Sequence, residues 1–267
     1  MEMERKEIKE SIQSIQSIQS IQDVKDIEET VFYNKINSND VAFVKDMFTK
    51  YDIQTKEDIT THKKTLSKIH KTVPSLSKML RIYKFLVANN ELVQNNHIQK
   101  LLTTKVTRSH SGVVVITSFF SPYPKTKKGI QQFSCEYDCA YCPNNPGMPR
   151  SYDEKEPGVM RAIECKFDSK EQFWSRARSL QNMGHPLDKI ELIFLGGTFS
   201  SFPREYITEF FRDHFYAANT MNCLEKREPL SLQEEQQINQ HTSLIKIIGI
   251  TIETRPDRIT YSEKISS

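Results

Sequence analysis

Ile190-Glu-Leu-Ile-Phe-Leu195-Gly196-Gly197-Thr198 reads as an apolar β-strand that runs into a double-glycine turn. Its neighbours alternate in kind. Before it, Ser169 to Met183 has the texture of a helix stopped at Gly184-His185-Pro186, and after it Arg204 to Ala218 is again helical. Lys246 to Thr254 is a further apolar strand, followed by Arg255-Pro256-Asp257, and Gly112 to Phe120 (Gly-Val-Val-Val-Ile-Thr-Ser-Phe-Phe) is a strand upstream. Strands alternating with helices predict a parallel α/β architecture, with chemistry at the C-terminal ends of the strands. The Gly-Gly-Thr and Arg-Pro-Asp segments both fall at such ends.

So does a cysteine cluster. Beyond the upstream strand, a loop with Pro122, Pro124, Lys125, Lys127, Lys128 and Gly129 leads to Cys135-Glu-Tyr-Asp-Cys139-Ala-Tyr141-Cys142-Pro143. Five cysteines in 267 residues, three of them within eight positions, do not make a disulfide framework. Cys165 and Cys223 stand alone and read as packed thiols. A zinc site generally wants four ligands, usually as two separated pairs, and His110 and His185 are far from the loop in sequence. Three closely spaced thiolates suit an iron–sulfur cubane with one iron left open, which chelates a small molecule. Three residues, then two, with the aromatic Tyr141 before the last cysteine, resembles the signature of radical S-adenosylmethionine (SAM) enzymes. That resemblance implies a [4Fe-4S] cluster on Cys135, Cys139 and Cys142, with SAM as cofactor and Tyr141 near its adenine. A zinc-binding structural protein is the competing reading of the same thiols.

The first 106 residues have a different character. Four copies of Ser-Ile-Gln from Ser11 to Gln22 form a low-complexity tract whose three-residue spacing drifts round a helix. Residues 1–39 are therefore expected to be disordered or a frayed helix. Residues 40–106 predict a domain of short helices: Val41, Val44, Met47 and Phe48 share one face, Leu66 and Ile69 another, and Leu76, Met79, Leu80, Tyr83 and Leu86 a third. Residues 60–130 hold 13 basic side chains against one acid, Glu91, although the whole chain has a net charge of only +3. Lys63, Lys64, Lys68, Lys71, Lys78, Arg81 and Lys84 line the later helices and predict a nucleic-acid-binding surface. No stretch approaches a membrane span and the N-terminus lacks a secretory core, which points to a cytoplasmic protein without a membrane partner.

Four blocks sharpen the resemblance: Glu156-Pro-Gly-Val-Met-Arg-Ala162, Gly184-His-Pro-Leu-Asp-Lys189-Ile-Glu191, Leu195-Gly-Gly-Thr-Phe199 and Gly249-Ile-Thr-Ile-Glu253-Thr-Arg255-Pro-Asp257. With them, residues 108–257 resemble the catalytic-subunit family of the Elongator complex, the tRNA wobble-uridine carboxymethyl-synthase also described as a histone acetyltransferase. The resemblance implies a partial radical SAM (β/α) barrel over 107–267, preceded by the basic helical domain as a tRNA-binding region. It implies that Gly196, Gly197 and Thr198 contact SAM, that Glu253 and Arg255 line the same pocket, and that Lys189 contacts acetyl-CoA as co-substrate. The implied reaction is that of a transferase: the adenosyl radical activates the acetyl methyl, which adds to carbon 5 of the tRNA wobble uridine.

Two features depart from the family. Its first cysteine gap is usually longer, and its last cysteine is followed by Pro-Gly-Gly where this sequence has Pro143-Asn-Asn-Pro-Gly147. The family also continues past Arg-Pro-Asp into the rest of its barrel and an acetyltransferase domain, whereas this sequence stops at Ser267. The expectations are a second chain that completes the barrel or supplies that domain, a truncated descendant that binds tRNA without catalysis, or one product of a split gene.

Overall fold

The computed structural model describes residues 37–223 and 226–259. The Ser-Ile-Gln tract and nearly all of the 1–39 segment lie outside them. The described residues form two compact units, divided near His110 rather than at residue 106. The first also takes in Ser179–Pro186 with Asn222 and Cys223.

The first unit is helical: α1 (Ser38–Lys50), α2 (Lys56–His70), α3 (Leu76–Ala88) and α4 (Asn96–Leu102). Asn37, Thr55, Ser75 and Asn95 cap the four N-termini, each accepting from backbone N–H groups that have no partner inside the helix. At α2 the cap is reciprocal, Thr55 with Asp58. The core gathers Phe43, Val44 and Met47 of α1, Ile59 and Leu66 of α2, Met79, Leu80, Ile82, Tyr83 and Leu86 of α3, and Leu102 of α4. Ile69 departs from the reading above. It is exposed, because it sits about 60° round the helix from Leu66 and in the last turn. Gly184 adopts φ +95°, and a Cβ there would lie 2.7 Å from Leu80 and from Thr103, so the turn that stops the preceding helix needs its glycine.

The second unit is built on a parallel sheet of β1 (Val114–Phe119), β4 (Lys189–Leu195) and β5 (Lys246–Ile252), in that spatial order. Between β1 and β4 come a small antiparallel hairpin, β2 (Lys125–Thr126) with β3 (Gly129–Ile130), and helices α5 (Pro157–Glu164) and α6 (Ser169–Asn182). Helices α7 (Arg204–Thr220) and α8 (Leu232–His241) precede β5. Strand β4 alternates: Ile190, Leu192 and Phe194 are fully buried while Glu191, Ile193 and Leu195 are half-exposed. One face of the sheet is therefore dry. There Phe194 packs against Phe210, Phe211 and His214 of α7, with Phe120 beside them. The other face is covered near the C-terminal end of β1, where Phe119 packs with Val159 and Ala162 of α5. In β5 no residue is fully buried, and a bulge beside Ile190 leaves Ile248 exposed.

Each outer strand meets a buried amide. Gln172 of α6 donates to the carbonyl of Phe119 and accepts from its N–H, at 3.0 and 2.8 Å. Asn239 of α8 donates to the Ile245 carbonyl (2.8 Å) and accepts from the Ile247 N–H (2.9 Å). Both amides act as one-residue strand partners for backbone groups that would otherwise be stranded in the core. No helix among the described residues is long and apolar enough to cross a membrane.

A candidate site at the C-terminal edge of the sheet

Parallel strands bring their C-terminal ends to one edge, and register fixes which ends are neighbours. Phe119 pairs with Leu195, and Phe194 with Ile252. The chain leaving β1 forms the cysteine loop, the chain leaving β4 is Gly196-Gly197-Thr198, and the chain leaving β5 carries Glu253 and Arg255. The placement expected from the sequence is what the structure shows.

Contact between the first two segments is close. Gly196 and Gly197 have φ of +128° and +103°, which side chains rarely tolerate. A Cβ on Gly197 would lie 2.7 Å from the Ser134 carbonyl oxygen, so the glycine lets the β4 turn touch the cysteine loop. Thr198, only 2% exposed, places its hydroxyl 3.2 Å from Sγ of Cys135. Burial pushes the Cys135 thiol up, but hydrogen bonds from the Thr198 hydroxyl, the Tyr137 and Thr198 backbone and the Ser201 hydroxyl outweigh it. The net result is a thiol held below its ordinary value.

The third segment binds the second cysteine. Arg255 donates from Nη1 to Sγ of Cys139 at 2.9 Å, while its Nε and Nη2 grip Asp257 at 3.0 and 2.9 Å. Its guanidinium lies over the Tyr137 ring, as does that of Arg258. Cys142 closes a turn onto the Cys139 carbonyl and sets its Sγ 2.9 Å from the Ser151 hydroxyl. Glu253 accepts a short hydrogen bond from the Tyr152 hydroxyl. Burial and the Glu253 carboxylate push the Tyr152 phenol up, so it stays a donor.

The expected residues are thus not all assembled in the expected way. Among the described residues no three histidine, cysteine, aspartate or glutamate side chains are gathered as a metal-holding group. The three half-buried thiols share one loop, each facing its own partner. The donor chemistry nonetheless fits an iron–sulfur cluster: thiol sulfur at three positions, each beside a hydroxyl or a guanidinium suited to outer-shell hydrogen bonding of a thiolate. Tyr141 is 89% exposed, its phenol pushed up by a hydrogen bond to Cys139 and by that group's charge.

Lys189 stands apart. It is exposed at the first position of β4, about 20 Å of strand from the Gly-Gly-Thr end. The basic residues are in the helical unit: Lys63, Lys64 and Lys68 on α2, Lys71 as its left-handed cap, and Lys78, Arg81 and Lys84 on α3. Lys64, Lys68, Lys71 and Lys84 are exposed, whereas Lys78 is committed to the buried Asp40 through a 2.5 Å ion pair. Sequence reasoning did not single out Tyr137, Arg150, Ser151 or Tyr152. Their partners lie in loops far away or on irregular backbone, where no periodicity marks them.

No protein-family model matches the chain. Curated relatives do. A tRNA uridine(34) acetyltransferase of Dehalococcoides mccartyi is 37% identical over 153 residues, 57% of this chain and 30% of the relative. A tRNA uridine(34) acetyltransferase of Methanocaldococcus infernus is 32% identical over 222 residues, 78% of this chain and 38% of the relative. Elongator complex protein 3 of Schizosaccharomyces pombe is 33% identical over 165 residues, 60% and 28%. A solved structure of the M. infernus Elp3 lacking residues 1–46 aligns at 29% identity over 57% of this chain and 25% of that one, with a TM-score of 0.39. The chain spans about a third of the length of the curated relatives it matches. The resemblance carried by the four sequence blocks is borne out: this chain is a homologue of the tRNA uridine(34) acetyltransferases and of Elongator complex protein 3.

Proposed function

We propose that the chain is a radical SAM [4Fe-4S] protein that takes part in modifying carbon 5 of the tRNA wobble uridine. The observation that carries the reading is the meeting of three chain segments, from β1, β4 and β5, around the cysteine loop. The names of the relatives supply the substrate: tRNA uridine 34.

Cys135, Cys139 and Cys142 hold the cluster in this reading, and a bound cluster supplies the electron that cleaves SAM. Thr198 and Arg255 orient the first two sulfurs by hydrogen bonding, as outer-shell donors do. The Gly196-Gly197 backbone leaves room at the sheet edge for a ligand to approach. Tyr152 holds the Glu253 carboxylate in place, while Asp257 aims Arg255. SAM contacts at Gly196, Gly197, Thr198, Glu253 and Arg255 belong to this proposal. Acetyl-CoA as co-substrate, with Lys189 as its contact, would be a separate subsite, since Lys189 lies at the other end of β4. The exposed lysines of α2 and α3 serve tRNA phosphates in the same reading.

The test is anaerobic iron–sulfur reconstitution, then reduction with SAM and assay of 5′-deoxyadenosine, beside a Cys135/Cys139/Cys142 triple-alanine variant. Cluster-dependent 5′-deoxyadenosine is the expected result. A stable cluster without SAM cleavage would leave a tRNA-binding relative without catalysis. Zinc in place of iron would overturn the proposal.

A further inference from the structure

Beside the cysteine loop, between the chain leaving β1 and the turn at Asn144–Arg150, lies a cavity of about 310 Å³. That is within the range of small-ligand pockets. Two aromatic rings, Tyr123 and Phe133, line it although 42% and 47% of their surface is exposed. Three primary amides, Gln132, Asn144 and Asn145, and one cation, Arg150, supply the polar groups, and no carboxylate lines it. Arg150 is mostly buried, and its Nε has no hydrogen-bond partner even though Nη2 bonds Asp138 at 2.5 Å.

Exposed aromatic faces next to amide groups are the chemistry by which proteins take up unstacked bases. The ring supplies a stacking face, and each amide offers a donor and an acceptor to a base edge. The adjoining hairpin adds the second half of such a site. Lys125, Lys127 and Lys128 are exposed on β2 and its turn, and none makes an ion pair among the described residues. Lysines beside a stacking pocket are the arrangement that follows a single-stranded backbone.

We propose that this cavity receives an unpaired base of an RNA strand, stacked against Phe133 and Tyr123 and read by the Gln132 and Asn144 amides, with Lys125, Lys127 and Lys128 holding the flanking phosphates. Cys135 also lines the cavity, so the base lies next to the cysteine loop. This deepens the tRNA reading above and rests on its RNA half alone; it needs no cluster.

The experiment uses the full chain and two labelled RNA heptamers, identical except that one carries uridine at its centre and the other an abasic site. Affinities are measured by fluorescence anisotropy at several salt concentrations. Wild type is expected to prefer the uridine heptamer roughly 5–100-fold, the range that a lost base–aromatic stack produces. Phe133→Ala is expected to erase that preference. Lys127→Ala/Lys128→Ala is expected to weaken both heptamers equally and to flatten the salt dependence. Equal wild-type binding of the two heptamers, or a Phe133→Ala protein that keeps the preference, overturns the proposal. If circular dichroism shows that Phe133→Ala has lost its fold, Asn144→Ala on the exposed rim decides in the same terms. SAM cleavage is assayed on the same preparations. Base preference without cleavage keeps the pocket and sinks the SAM chemistry, and the reverse result does the opposite.

Discussion

The side-chain amide of Gln172 and the backbone of Phe119 exchange two hydrogen bonds, 3.0 Å from Nε2 to the carbonyl and 2.8 Å from the N–H to Oε1. The pair is buried, and it completes the outer strand just before the chain turns into the cysteine loop. Gln172→Ala leaves both backbone groups without partners. It is expected to destabilise the fold by about 1–3 kcal/mol for each stranded group, measured by urea unfolding. Gln172→Glu keeps the shape yet cannot donate when ionised, so its deficit should shrink at acid pH.

Gly197 ties that loop to the sheet. Gly197→Ala meets both a positive φ and a carbonyl oxygen at 2.7 Å. A cost of about 1–3 kcal/mol is expected from the backbone conformation alone. Hydrogen exchange should quicken around Ser134 and Cys135 before it changes in β4.

Arg255 is expected to act on iron retention more than on folding. Arg255→Ala removes the donor to Cys139, and loss of an outer-shell partner costs roughly 10–100-fold in metal affinity. After reconstitution, iron release to a chelator is the readout. An unchanged release rate would remove Arg255 from the site.

His214 gives the fold an acid limb. It is fully buried, its Nδ1–H donating to the Phe210 carbonyl at 2.8 Å, and burial pushes its pKa down to about 4 from 6.5. Between those values the unfolded chain binds the proton and the native state does not, so stability rises with pH across that window. Acidification from pH 6.5 to 4 is expected to cost on the order of 3 kcal/mol through this group. His214→Phe should flatten that part of the stability profile, measured by urea melts at a series of pH values.

Two kinds of lysine are also separable. Burial raises the Asp40 carboxyl, but hydrogen bonds from Lys78 and Thr72 and the Lys78 charge bring it below the ordinary range. Lys78→Ala therefore leaves a buried carboxylate without its cation, with only the Thr72 hydroxyl bonded to it, and should lower the melting temperature. Lys64→Ala/Lys68→Ala/Lys71→Ala should leave melting unchanged while weakening tRNA binding and its salt slope.

What the sequence discloses follows from how each feature is written in it. Helices α1, α2, α3, α6 and α7 and strands β1, β4 and β5 announce themselves by periodicity and apolar runs, with ends set by Gly184, Gly196 and Pro256. The short helices α4 and α8 carry little apolar pattern and were not anticipated. Cys135, Cys139 and Cys142 are legible because they are three positions on one loop. The partners that hold them are not: Ser151 and Tyr152 follow an irregular turn, and Glu253 meets Tyr152 only because strand register brings distant residues together. Lys78 looked like its neighbours because charge composition does not record that Asp40 is buried.

The hydrogen bond from Arg255 to Cys139 closes a loop of 116 residues. Closing so long a loop costs chain entropy before any contact repays it, and contacts so distant in sequence slow folding. Cys139 should therefore find its partner only after β4 and β5 have paired, so protection of that thiol in a refolding experiment would mark a late step of assembly. A nascent chain would leave the Cys139 sulfur without its guanidinium partner until β5 and Arg255 emerged, and oxidation in that interval would compete with maturation.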